Sequence, residues 1–161
     1  MQMAPFPSPE QKIAALGLTL PQLPMPGGNY VSAKRMGEIV FLSGVISTGP
    51  DGIITGTAGA GSTLEEGYKA ARACALTQLA VLKRELGSLE QVVEVLSVNG
   101  YVNAVAGFGH SPAVINGASD LLVEVFGEAG RHVRAAVGVS ALPRNALVEI
   151  QMTVRVKGRC V

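Results

Sequence analysis

Three observations predict an α+β domain of two layers, a mostly antiparallel sheet with two helices on one face. Two stretches carry apolar residues at steps of three and four. Leu64, Tyr68, Ala71, Ala75, Leu79, Leu82 and Leu86 form one stripe, and Ile115, Ala118, Leu122 and Phe126 form the other. Before, between and after them lie segments rich in β-branched residues that read as strands. Finally, 161 residues suit one core, and the sequence has no internal repeat.

Taken in order, residues 1–29 read as an N-terminal extension and 30–161 as the α+β domain. Ser8 and Pro9 supply a helix cap and a proline in the first turn, opening a short helix over Glu10–Leu16 that Gly17 closes. The stretch LPQLPMPGGN, 20–29, with three prolines and two glycines, is an irregular connection over the surface. Val31–Arg35 and Glu38–Ser43 then form two strands around a Met36-Gly37 break. The run 48–61 is a glycine-rich loop with a short strand at Ile53–Thr55. Thr63-Leu-Glu-Glu66 is a capping box, and it opens a long helix that Gly87 ends. Val92–Val102 is the next strand. Ser111-Pro112 repeats the cap-and-proline start of a helix that Gly127 closes. Two strands finish the chain. In the last, Val148, Ile150, Met152, Val154 and Val156 point one way, and Glu149, Gln151, Thr153 and Arg155 the other. The element order is thus β-β-(β)-α-β-α-β-β.

Composition narrows the function classes. Hydrophobic residues make up 48% of the chain, which rules out a disordered one and exceeds what a monomer of this size needs, so another subunit is expected to cover some surface. A net charge of +1 and 4% aromatics argue against a nucleic-acid binder. No apolar run reaches the roughly 18 residues of a membrane span, and no signal peptide is legible, so a cytoplasmic protein is expected. Cys74 and Cys160 fit no metal or redox spacing and read as free thiols in a reducing compartment.

Several motifs tempt and fail. Gly56–Thr63 resembles a phosphate loop in spacing, but Ser62 stands where a Walker lysine belongs and Leu64 where a third dinucleotide-binding glycine belongs. His110 and His132 have no partner pattern for a metal or a triad, and surface or capping roles are their default. Ser43-Gly44 lacks the flanks of a nucleophile elbow. No metal and no cofactor is predicted.

More informative is HVRAAVGVSALPRNALVEI, 132–150, where Arg134 and Glu149 interrupt apolar runs. Alternation puts Arg134, Ala136, Gly138 and Ser140 on one face and Ala135, Val137 and Val139 on the other. The valines are expected to face the helices, leaving Arg134 among small residues with room for a ligand. Such an arginine suits a planar carboxylate, held by two parallel charge-assisted hydrogen bonds. The residues equally allow Arg134 and Glu149 to pair with each other, with Arg155, or with acids across an interface.

The series R-x-x-V-x-V-x-x-L-P followed by VEI, here Arg134 to Pro143 and Val148-Glu149-Ile150, resembles the C-terminal signature of the RidA/YjgF family. GGNYVSA at 27–33 and FLSG at 41–44 are similar to its G-P-Y segment and Ser-Gly strand end, and Asn116 matches its helix-borne asparagine. The similarity runs from about Gly28 to Val156. It implies a chorismate-mutase-like fold and a homotrimer with three sites between subunits. It also implies cofactor-free hydrolysis of small 2-imino or 2-enamino acids to 2-keto acids and ammonia. Carried over, Arg134 clamps the carboxylate and Glu149 positions the water. Tyr30 lines the cleft with Ser43, Gly44 and Ala136 offer backbone groups, and Asn116 supports. The family's cysteine two positions after the arginine is Ala136 here, so no thiol acts at that position. The alternatives are a non-catalytic trimer that binds a small carboxylate and, less consistent with the charge, RNA cleavage, the older name of the family.

Overall fold

The computed structural model describes residues 6–23 and 25–158. A short helix, α1 (Pro9–Ala15), opens the chain. It begins with a reciprocal capping box between Ser8 and Gln11. The glycine predicted to end it, Gly17, takes a left-handed φ of 72°. Ile13 of α1 is 3% exposed and joins the core. Glu10 anchors the helix to the body, accepting from the backbone N–H of Leu89 at 2.8 Å.

Strands β1 (Ala33–Met36) and β2 (Ile39–Leu42) form the predicted hairpin, turning at Gly37 with φ 60°. After them comes β3 (Val45–Ile46), which sequence patterning did not show. The glycine-rich loop carries a small two-stranded ribbon, β4 (Thr48–Gly49) with β5 (Gly52–Ile53), where one short strand was expected at Ile53–Thr55. Helix α2 (Leu64–Leu86) starts at Thr63, which exchanges the predicted capping-box bonds with Glu66, and stops at Gly87. Its buried face is centred on Ala71, Cys74, Ala75, Gln78, Leu79 and Leu82, while Leu64 at its start is 48% exposed.

Strand β6 (Val92–Asn103) leads through α3 (Ser111–Phe126) into β7 (Val133–Val139), and β8 (Val148–Val156) ends the described fold. Ser111 is not the cap of α3. His110 occupies that place without a side-chain capping bond, and the Ser111 hydroxyl is buried and unpartnered among the described residues. The proline at the second helical position explains the start regardless, because it fixes φ where an N–H has no helical acceptor.

The main sheet runs β1-β2-β8-β6-β7, with β3 also paired to β8. All pairings are antiparallel except β6 with β7, which α3 joins by a crossover. Both helices cover one face. Cys74 and Gln78 of α2 reach the backbone of Val148 and Ile150, and a side chain on Gly100 of β6 would run into Ile115 of α3. The helices themselves touch at Gly117, where any Cβ would strike the carbonyl of Tyr68. The predicted alternation of β8 holds: Val148, Ile150, Met152, Val154 and Val156 are all buried. Each of these side chains contributes on the order of 1.5–3 kcal/mol on leaving water.

One face was predicted the wrong way round. Arg134 pairs with Val98 and Ala136 with Gly100, and those two pair with Met152 and Ile150, all on the helix side. Arg134, Ala136 and Gly138 therefore point at α3, and the valines of β7 point outward. Val133 is 72% exposed and Val137 46%. The reversal has a physical cause. α3 packs close to the edge strand β7 and needs small residues beneath it, so on this strand apolarity does not mark the covered face. Cys160 lies outside the described residues.

Candidate functional site

β7 and α3 together position Arg134. Its Nη1 donates to Asn116 Oδ1 at 2.9 Å and to Ser119 Oγ at 3.1 Å, and its Nη2 to the Pro112 carbonyl at 3.3 Å. All three acceptors are neutral, and the guanidinium is exposed with no carboxylate on it among the described residues. Among the described residues Arg134 does not pair with Glu149, nor Glu149 with Arg155. Arg155 pairs instead with Glu94 at 2.8 Å and, at 3.9 Å, with Glu38. The arginine is thus oriented but not neutralised. Asn116 stands beside it as expected, and Ala136 lies two residues along the same face.

Ser119 and His132 complete that orientation; sequence patterning gave Ser119 no role and expected His132 to have a surface or capping one, whereas it is partly buried behind the arginine. Ser119 Oγ lies 2.9 Å from His132 Nε2, and His132 Nδ1 lies 2.6 Å from the Gly130 carbonyl. A carbonyl can only accept, so Nδ1 carries the proton and Nε2 is left to accept from Ser119. Ser119 can then accept from Arg134 with its lone pair. Burial holds the His132 pKa below its ordinary value, the Gly130 bond opposes this, and the Arg134 charge adds to it. The imidazole stays neutral as the relay requires. A serine eight residues into α3 meeting a histidine thirteen residues later carries no spacing motif, so no sequence signal marked them.

Glu149 stands elsewhere. Its ladder partners are Tyr101 and Ile46, so it projects from the face opposite the helices, as alternation predicted. Burial raises its pKa, and no cation pairs with it among the described residues. Its carboxylate presses against Gly44, where a Cβ would collide with Oε1. Ser43 beside it is tied down on three sides. Its Oγ donates to the Val31 carbonyl at 2.6 Å, its N–H to Ser32, and its own carbonyl accepts from Gln78 Nε2 at 3.0 Å. Gln78 is fully buried, and its Nε2 also donates to the Ile150 carbonyl, so it fixes the strand break under Glu149. It is a second residue that helical periodicity hid, since it sits on the face of an ordinary core helix.

Tyr30, Ser43, Gly44 and Glu149 line one cavity of about 850 Å³. Arg134, Ala136 and Asn116 do not line it. The predicted residues therefore form two half-sites. By sheet register Arg134 and Glu149 are two strands and three residue rows apart, roughly 14 Å, and on opposite faces. Among the described residues there is no group of three or more His, Cys, Asp or Glu that could hold a metal, and no helix long and apolar enough to cross a membrane.

Residues 10–155 match the family described as "YjgF/chorismate_mutase-like, putative endoribonuclease". The match begins inside α1, earlier than the resemblance read from Gly28 onward. The protein TCP17 of Trypanosoma cruzi is 43% identical over 141 residues, which span 86% of this chain and 88% of that one. The crystal structure of Atu1372 from Agrobacterium tumefaciens, a protein described as of unknown function, superposes with a TM-score of 0.85 at 39% identity, covering 92% of this chain and 91% of that one. A structure from Shewanella oneidensis titled "putative endoribonuclease" gives 0.89 at 32% identity, covering 93% of this chain and all of that one. Motif order, sheet topology and these matches agree: the chain belongs to the YjgF/RidA family.

Proposed function

We propose that the protein is a homotrimer that hydrolyses small 2-imino and 2-enamino acids to 2-keto acids and ammonia, without a cofactor, in clefts between subunits. The observation that carries this reading is the pair of uncompensated half-sites: a cation held by neutral acceptors on one face, and a half-buried carboxylate without a cation on the other. Two groups on opposite faces of one sheet can share a ligand when they come from different copies. The exposed Met36, Phe41, Val133 and Val137 on the outer face support its burial against a neighbouring subunit.

Arg134 of one subunit binds the substrate carboxylate through its guanidinium edge, and Glu149 of the next holds a water. The water oxygen attacks the iminium carbon while Glu149 takes its proton. Glu149 returns that proton to the carbinolamine nitrogen, and as the C–N bond breaks the hydroxyl gives its own proton back to Glu149, so that the C=O forms and ammonia leaves with the keto acid. An enamine first takes a proton on carbon to become the imine. An imine is already electrophilic, so placement and a base suffice, and each can contribute orders of magnitude in rate. Burial raises its pKa, which makes Glu149 a better proton acceptor than an ordinary exposed carboxylate. Gly44 leaves room for the carboxylate and exposes its own backbone.

The test couples the purified protein to an amino-acid oxidase that generates imines and follows ammonia release. Acceleration is expected from the wild type and none from Arg134→Ala. Equal rates with and without protein would rule the hydrolysis out. Thermal stabilisation by 2-ketobutyrate without turnover would instead favour the non-catalytic carboxylate binder.

A further inference from the structure

The cavity beside Glu149 is much larger than a three- or four-carbon acid requires, and its walls say what else it accommodates. It extends from Tyr30, Ser43, Gly44 and Glu149 to a wall of α2 formed by Ala73, Leu76 and Val81. Residues 19–23 and 25–27 also line it, Leu20 and Leu23 half-buried and Met25 exposed at the edge. Leu20, Leu23 and Leu76 also pack against the core, so this segment is seated on the domain and not merely lying over it. At about 850 Å³ the space falls in the range of pockets that bury drug-sized ligands.

Its charge is equally specific. Arg144 and Glu149 are the two charged residues in the described lining, and every other wall residue is apolar or neutral. Arg144 and Asn145 both hold left-handed backbone, with φ of 56° and 58°. Such a pair costs on the order of 1–2 kcal/mol per residue and persists where neighbours fix it. Here Asn103 Nδ2 donates to Asn145 Oδ1 at 3.3 Å, and the Asn145 carbonyl accepts from Gly56. That backbone places an arginine with no ion-pair partner among the described residues in the lining of a largely apolar chamber. A cation there favours entry of an anion, and the leucine-lined end favours an uncharged tail.

We infer that the substrate class is 2-imino acids bearing an extended or bulky apolar side chain, which lodges between the proline-rich arm and α2. This rests on the hydrolytic reading for the reacting head and adds the tail. Arg144 draws the acid in, and Leu20, Leu23, Leu76 and Val81 remove its side chain from water. A buried methylene contributes a factor of about 3 to 4 in affinity.

The test measures calorimetric affinity of the full-length protein for straight-chain 2-keto acids from four to eight carbons. The eight-carbon acid is expected to bind at least about tenfold more tightly than the four-carbon one. Ala73→Phe, which fills the chamber from α2, flattens that slope. Leu23→Ser on the arm flattens it too and guards against misfolding of the helix variant. Equal affinity along the series, or no binding of any acid, overturns the inference. Its failure is separable from that of the hydrolysis. Ammonia release from short imines with a flat slope removes the tail chamber alone, whereas a steep slope without ammonia release leaves the chamber and removes the reaction.

Discussion

Gly44 and Glu149 are packed so closely that the absence of a side chain at Gly44 is what gives the carboxylate its place. The atom in the way is the tip of a flexible side chain, so Gly44→Ala moves the carboxylate and leaves the fold standing. A fall in ammonia release of about tenfold or more is expected, with the melting temperature almost unchanged. A variant as active as the wild type would show that Glu149 needs no fixed position.

The relay behind Arg134 leads to a second expectation. Ser119→Ala removes one acceptor from the guanidinium and cuts it off from His132. The clamp keeps its charge but loses orientation, so KM rises about three- to tenfold while kcat falls less. The conservative Ser119→Thr restores most of the loss. A purely structural serine would change stability and leave KM alone.

Acidity acts through Glu149. In the proposed hydrolysis its base form takes the proton from water, and burial raises its pKa above the ordinary 4.5. In the substrate complex the carboxylate of the acid matches Arg134, so burial dominates at Glu149. The kcat profile therefore falls as pH drops through a midpoint above 4.5, and Glu149→Gln removes both the activity and that acid limb. A midpoint below 4.5 would contradict the assignment.

Gln78 links the core to the site. Replacing it with Met leaves the carbonyls of Ser43 and Ile150 without their buried donor. Urea unfolding is expected to show a loss of about 1–3 kcal/mol. Activity should fall with it, because the Ser43-Gly44 break shifts.

The helices were legible because their ends are chemical. Thr63 with Glu66 makes the capping box its spacing announces, Ser8 is the expected cap (with Gln11 completing a box that patterning did not show), and a glycine follows the end of each helix. β8 was legible because alternation is strict when one face is buried. β7 misled for the opposite reason. It is an edge strand under a close helix, with alanine and glycine inside and valine outside, and periodicity alone cannot orient it. β3 is two residues long and has no period to read. Arg134 and Glu149 stood out as charges in apolar runs. Ser119, His132, Gln78 and Arg144 did not, because their significance lies in distances the chain order does not contain.

The central claim, that Arg134 and Glu149 act from different subunits, is tested most directly by co-expressing Arg134→Ala with Glu149→Gln and assaying the mixed trimers. Each variant alone is inactive. In randomly mixed trimers about one cleft in four combines an intact arginine with an intact glutamate, so about a quarter of wild-type ammonia release returns. No recovery in well-mixed trimers would place both residues' work within one chain, against the opposite faces they occupy, and contradict the account.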